Sequence, residues 1–241
     1  MDKRTEWPLL RVRGLNKSYV RRNWRPGARA EVSAVHGVDL DLGFGQTLAI
    51  TGRSGSGKST LARCIAGLES PSGGEIWFGG HPVQEGGSAC RHIQLIFQDP
   101  GASLNPRFSV LQALSEPLII RHESADRQGL ARRLEQVGLS ETLLDQRTSE
   151  LSGGQKARLA LARALAALDE RDDPAILILD ESLSSLDLSV QAQMLNLLLD
   201  LQEQRSLSYL LITHDLALAE HMADEIVVMS QGKIVGRTAH A

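Results

Sequence analysis

The residues Gly52-Arg53-Ser54-Gly55-Ser56-Gly57-Lys58-Ser59-Thr60 carry the first chemistry in this chain. They fit the pattern G-x-x-x-x-G-K-[ST] without mismatch. Glycines at these spacings let a turn of backbone N–H groups close on phosphate oxygens. Lys58 then reaches the terminal phosphates, and the Ser59 hydroxyl is placed to ligate Mg²⁺. A second run, Leu151-Ser152-Gly153-Gly154-Gln155, offers anion binding by another route. A Ser followed by a Gly pair leaves N–H groups bare at the start of a helix, where the first donors lack intrahelical partners and the macrodipole is positive. Alone, S-G-G is an ordinary N-cap. Two phosphate-seeking helix starts in one chain need a joint explanation.

Carboxylates complete the set. Asp180 and Glu181 follow the apolar run Ala175-Ile176-Leu177-Ile178-Leu179, and the carboxyl end of a buried strand is where α/β sheets hold ligands. An Asp there holds a Mg²⁺ shell, and the neighbouring Glu polarises a water for attack on a γ-phosphate. Gln98 ends Ile93-Gln94-Leu95-Ile96-Phe97, and His214 ends the run Tyr209–Thr213. Taken singly, each is an ordinary satisfied polar residue. As a pair on two further strand tips of one sheet, they converge on the same γ-phosphate.

These residues require a sheet to position them. Gln46–Thr51 reads as a short apolar strand running into the Gly-rich loop, and Leu61–Ala66 continues as helix, giving the strand–loop–helix context of a phosphate loop. Alternation in Val38-Asp39-Leu40-Asp41-Leu42 predicts a half-exposed strand in an antiparallel N-terminal region. The polar, Arg-rich stretch between Tyr19 and Ala34, with Pro26 and Gly27, predicts a surface loop. From about Ser109 to Leu144 the pattern is helical, with Arg132, Arg133 and Glu135 opposite Leu130, Leu134 and Val137. A helix follows from Ser152, and another carries Val190, Met194, Leu197, Leu198 and Leu201 on one stripe. Tyr209–Thr213 and Glu225–Met229 read as strands. The fold class is α/β: a mostly parallel sheet with helices on both faces, an antiparallel β region before it, and a helical insertion. One domain over 1–241 is expected, with a nucleotide-binding core at about 1–98 and 152–241 and a helical subdomain at about 99–151.

Composition narrows the class. The 241 residues suit one large domain, and 42% apolar with 23% charged content is ordinary for a soluble globular chain. A net charge of −3 leaves no electrostatic footprint for nucleic acid. Cys64 and Cys90, far apart in sequence, show no metal-ligand spacing and read as buried small hydrophobes. The N-terminal residues Met1–Glu6 lack the apolar stretch of a signal peptide. No apolar run reaches the ~20 residues needed to cross a bilayer, so a cytoplasmic chain is expected, with any membrane role acting through a partner.

In order along the chain, these motifs resemble the nucleotide-binding subunit of an ABC transporter from Tyr19 to Gly232. Under that resemblance Tyr19 is the adenine-stacking aromatic, Gly52–Thr60 the Walker A loop and Gln98 the Q-loop glutamine. Leu151–Gln155 is the signature, Ile176–Asp180 the Walker B strand and Glu181 the general base. Ser184-Ser185-Leu186-Asp187 is similar to the D-loop and His214 to the switch histidine. The family's site adds Gln98 to Ser59 and Asp180 as metal ligands, so that ATP and Mg²⁺ are the implied cofactors. Leu95–Pro100 with Ser103–Arg107, the loop after Tyr19 and Gly52–Gly55 are similar to importers of the peptide and nickel class. A short segment after Gly232 fits nickel or metallophore members better than oligopeptide ones, and Glu181-Ser182-Leu183 departs from the commoner Glu-Pro-Thr.

The resemblance also implies partners. A second ATPase subunit, related but different, would pair head to tail, so that Ser152, Gly153, Gly154 and Gln155 close over ATP held by the other chain. Two transmembrane permeases and an extracytoplasmic substrate-binding protein would complete an importer, with this chain peripheral on the cytoplasmic face of the inner membrane. Its cargo would be nickel, a metal chelate or small peptides. The rival is an ABC-type ATPase in a non-import role, as an extractor, an exporter or a nucleic-acid-associated enzyme. A second rival is a subunit that binds ATP and lends only its signature, against which Glu181, His214 and Gln98 argue.

Overall fold

A computed structural model describes residues 7–22, 29–168, 174–184, 186–205 and 207–239. The six-stranded sheet has the order β10-β9-β3-β8-β7-β6. Its strands β3 (Thr47–Thr51), β6 (Ile93–Ile96), β7 (Ala175–Asp180), β8 (Leu207–Ile212) and β9 (Glu225–Ser230) run parallel. Only β10 (Lys233–Ala239), on the edge, is antiparallel. Strands β3, β7 and β8 are buried along their whole length, as expected where a parallel sheet is covered on both faces. The pleat divides their side chains between two cores. Leu177, Leu179, Tyr209 and Leu211 join one apolar cluster, while Ile176, Ile178, Leu210 and Ile212 join the other.

The first cluster is completed by α2 (Val110–Ile120), α3 (Arg127–Glu135), α4 (Gly153–Ala167) and α5 (Leu188–Gln204). The second is closed by α1 (Lys58–Ile65) and by an antiparallel sheet of order β2-β1-β4-β5. That sheet comprises β1 (Leu10–Arg22), β2 (Arg29–Leu42), β4 (Gly73–Phe78) and β5 (His81–Pro82). Helices therefore lie on both faces, and on one of them the antiparallel sheet shares the work. Near the end of the chain α6 (Leu216–Met222) leads into β9. Among the described residues no helix is long and apolar enough to cross a membrane.

Two expectations change, for the Tyr19–Ala34 stretch and for Cys90, while the helices expected between Ser109 and Leu144 are present. The Tyr19–Ala34 stretch is not simply a loop: β1 runs on to Arg22 and β2 begins at Arg29, with Tyr19 opposite Val32 and Val20 opposite Glu31. An exposed two-stranded arm needs no buried face, so its polar composition disguises it; the expected turn residues Pro26 and Gly27 lie outside the described residues. The helical span from Ser109 to Leu144 is two helices and a short 3₁₀ turn at Glu141–Leu143, with His122 at a positive φ of 59° after α2. Cys64 is buried, and burial pushes its thiol up to about 11. Cys90, by contrast, is half-buried, with its Sγ–H donating to the Gln84 carbonyl at 3.0 Å.

Candidate nucleotide site

Four adjacent strands, β3, β8, β7 and β6, deliver the site residues at their carboxyl ends. The Gly-rich loop follows β3, His214 follows β8, Asp180 ends β7 with Glu181 next, and Gln98 follows β6. Backbone bonds fix their register: Glu181 N–H donates to Ile212 O at 2.9 Å and Thr213 N–H to Ile50 O at 3.2 Å.

Lys58 is 4% exposed at the start of α1. Its ammonium donates to its own loop, to Gly52 O at 2.8 Å and Arg53 O at 3.1 Å. It also faces Glu181 Oε1 at 3.7 Å. The other Glu181 oxygen accepts from Gln98 Nε2 at 3.3 Å and lies 3.9 Å from His214 Nδ1. One carboxylate thus gathers Gln98 and His214, which the sequence placed on two strand tips, together with Lys58 of the Gly-rich loop. Glu181 itself adopts a positive φ of 49°, an uncommon conformation for a side-chain-bearing residue that recurs at functional sites.

Behind it, the Ser59 hydroxyl donates to Asp180 Oδ1 at 3.1 Å. Burial holds the Asp180 carboxyl above its usual range; the Ser59 hydrogen bond pulls it back, and the charge of Glu181 pushes it up again. A buried carboxylate with these neighbours favours a cation partner. A serine hydroxyl, an aspartate and a glutamine amide form the hard-oxygen set that suits Mg²⁺. Ser56 Oγ, inside the loop, is buried with no hydrogen-bond partner among the described residues. The residues present therefore fit a bound metal–phosphate group.

The loop is also clamped from outside, which the sequence did not reveal. A Cβ on Gly57 would stand 2.3 Å from Ala34 O, and one on Gly52 2.1 Å from Met229 O. These glycines serve close backbone packing as well as phosphate access. In the β9–β10 turn, Gly232 N–H donates to Ser56 O at 2.9 Å and Gly232 O accepts from His36 N–H at 2.8 Å. The only sequence hint is the turn-forming Gln231-Gly232 pair between two strands. Of the other loop residues, Arg53, Ser54 and Gly55 are exposed, and Thr60 neighbours Tyr19. Tyr19 is 37% exposed, with Lys17 Nζ 5.2 Å from its ring centroid and its hydroxyl bonded to the Glu69 carboxylate.

The run Ser152–Gln155 opens α4 as a capping box. Ser152 Oγ accepts from Gln155 N–H at 3.2 Å, and Gln155 Oε1 accepts from Ser152 N–H at 2.9 Å. The Ser152 hydroxyl proton remains free to be donated outward. Ser152 and Gly153 are exposed, and a Cβ on Gly154 would meet Val190 Cγ1 at 3.0 Å. No hydrogen bond among the described residues joins 152–155 to the Gly-rich loop. Asp187 caps α5 by accepting from Val190 N–H at 3.0 Å; Ser184 and Leu186 precede it, and Ser185 lies outside the described residues.

A profile of the ABC transporter family matches residues 35–184. This chain belongs to the ABC transporter family. It is an ATP-hydrolysing, ATP-binding subunit of that family. It is 41% identical over 236 residues to the dipeptide transport ATP-binding protein DppF of Haemophilus influenzae, across 95% of this chain and 71% of the relative. It is 40% identical over 240 residues to the putrescine export system ATP-binding protein SapF of Escherichia coli, across 97% and 87%. Its fold superposes on the dimeric ATP-binding cassette MJ0796 in a post-hydrolysis state bound to ADP and Pi, with a TM-score of 0.80. That match has 25% identity and covers 95% of this chain and 98% of that one. The ABC ATPase fold accounts for both anticipated sheets and for the helical insertion.

Proposed function

We propose that this ABC ATPase drives a peptide transporter as one half of a head-to-tail pair, in which each nucleotide lies between the Gly-rich loop of one chain and the signature of the other. The observation that carries this reading is the separation of the two anion cradles: Lys58, Gln98 and His214 surround Glu181, whereas the capped start of α4 is turned to solvent. A γ-phosphate with charge spread over its oxygens needs donors on several sides, and a second chain supplies those missing from the first. The named solved dimer supports such pairing.

Each site residue then takes a role. The loop Gly52–Thr60 wraps the phosphates by its N–H groups, and Lys58 leaves its own carbonyls to bind the terminal phosphates. Glu181 accepts a proton from the attacking water, Gln98 and His214 aim that carboxylate and the phosphate, and Tyr19 stacks on the base. Ser152, Gly153, Gly154 and Gln155 act across the interface. Ser59, Asp180 and Gln98 would hold Mg²⁺, which supplies charge neutralisation at the phosphates.

Peptide cargo is favoured over nickel or a metallophore by the relative named for dipeptide transport. Export is the second reading, favoured by the relative named for putrescine export. The partners of the import reading are two permeases, a substrate-binding protein and a second, related ATPase, with this chain on the cytoplasmic face of the membrane. Exchange of Glu181→Gln tests the chemistry: ATP binding should persist while hydrolysis slows by roughly 10²–10⁴-fold. Near wild-type turnover would remove Glu181 from the role of base. Contact with the permease is tested by crosslinking from the segment after Gln98. Leu104 is only 5% exposed, so the exposed Arg107→Cys is the suitable probe. The reading predicts a nucleotide-dependent crosslink to a membrane subunit, and it fails if none forms in any nucleotide state.

A further inference from the structure

One face of α4 is tied to the segment that follows Gln98. Arg163 Nη1 donates to Ser103 O at 3.3 Å, and Nη2 meets Glu116 Oε2 of α2 at 2.5 Å. Lys156 stands seven residues earlier, on the same helical face, and its Cδ lies 3.3 Å from where a Gly101 Cβ would be. The segment it touches is itself stiff. Asp99 Oδ1 accepts from Ala102 N–H at 3.0 Å, and Ser103 Oγ donates to Pro100 O at 2.6 Å. Gln98, immediately before this knot, donates to Glu181 at 3.3 Å. Arg163 lies about 16 Å along the helix from Ser152, at 1.5 Å per residue.

We infer that Arg163 is a positioning residue for hydrolysis: it makes the signature helix and the Gln98 segment move as one body, so that a phosphate seated at Ser152 re-aims Gln98 at Glu181. The guanidinium is suited to this because its planar fork spans two acceptors at once, the Ser103 carbonyl and the Glu116 carboxylate. The Glu116 arm is half-exposed, with side-chain exposures of 32% and 40% for the pair, so it adds little by itself. The carbonyl arm, which reaches the Gln98 segment, does the coupling. This inference rests on the trans pairing proposed above.

The test compares Arg163→Gln, Arg163→Lys and Glu116→Gln in the full chain with its opposing cassette, measuring ATP affinity, kcat, KM and Tm. Arg163→Gln and Arg163→Lys should leave ATP affinity and KM near wild type while kcat falls roughly 3- to 30-fold, the usual reach of a coupling residue. Arg163→Lys keeps a charge opposite Glu116, so its Tm should change little, and it serves if Arg163→Gln does not fold. Glu116→Gln should lower Tm slightly and spare kcat. Hydrogen exchange supplies a second readout: MgATP should protect residues 98–105 in the wild type, and that protection should be lost in Arg163→Lys. Wild-type kcat in both Arg163 variants, or a kcat loss that tracks Tm across all three, overturns the inference. Failure of the pairing itself is seen separately, as hydrolysis that survives a bulky replacement of Gly154.

Discussion

At the residue scale, the proposed site is held together by its own polar side chains. Lys58 is satisfied by two loop carbonyls and by Glu181, so an incoming phosphate exchanges contacts instead of capturing a free ammonium. The exchange is favourable because a charge-assisted bond to phosphate is stronger than one to a neutral carbonyl. Lys58→Ala should therefore weaken ATP binding itself, and unchanged affinity in calorimetry would contradict this. Asp180 carries a different penalty. Its carboxyl is held above the ordinary value of 3.8 chiefly by burial. A carboxyl raised in the fold favours folding fully only below its unfolded pKa, and that contribution is lost as pH rises through the folded value. At neutral pH the buried charge is a net cost in the absence of a cation. Asp180→Asn keeps an acceptor for the Ser59 hydroxyl and removes the charge. The nucleotide-free variant should have a higher Tm than wild type at neutral pH, and the difference should close as pH falls towards 3.8. Its Mg²⁺-dependent ATPase should fall by roughly 10²-fold or more. A lower Tm at neutral pH would mean that burial is not what governs this carboxylate.

At the element scale, legibility in the sequence followed the range of the interaction. The strands β3, β7 and β8 were plain because full burial demands continuous apolar runs, and Ser152 announced α4 because its cap closes within three residues. The β1–β2 arm was hidden, since an exposed ladder imposes no apolar alternation on Tyr19–Ala34. Contacts between distant segments left no local pattern at all: Arg163 on Ser103, Ala34 on Gly57 and Gly232 on Ser56. The last of these can be tested. Gly232 has φ of 78°, and an added Cβ would stand 2.5 Å from His36 Cδ2 and 2.9 Å from Ala34 O. Gly232→Ala should cost roughly 1–2 kcal/mol for the left-handed backbone alone, and by moving the turn off Ser56 it should also weaken ATP binding several-fold. Gly79→Ala is the control, with a φ of 54° but nothing within 4 Å of its Cβ. It should show the backbone cost alone, a smaller loss of stability than Gly232→Ala, and no loss of ATP affinity. Equal ATP affinity in both variants would show that the turn does not hold the loop.

At the scale of the whole molecule, the helical insertion is bound into the core rather than appended to it. Leu114, Leu130 and Leu134 of α2 and α3 share one apolar cluster with Leu177, Tyr209 and Leu211 of the sheet. Such continuity favours one cooperative unfolding event, and calorimetry of the isolated chain should show a single transition; two separated peaks would mark the subdomain as independent. Shared packing also limits what one chain can do. With α4 held against α2, α5 and the Gln98 segment, the signature cannot fold over onto its own Gly-rich loop without breaking that core. In the proposed pairing a partner chain brings the second cradle. Hydrolysis per chain should therefore rise with concentration of the assembled pair, whereas ATP affinity of the single chain should not. A bulky residue at Gly154 would meet Val190, already 3.0 Å from a Cβ there, and would shift the start of α4 from the position the proposed pairing needs. That variant should bind ATP as a single chain and fail to hydrolyse as a pair. Turnover that is independent of concentration and insensitive to Gly154 would place both halves of the site within one chain.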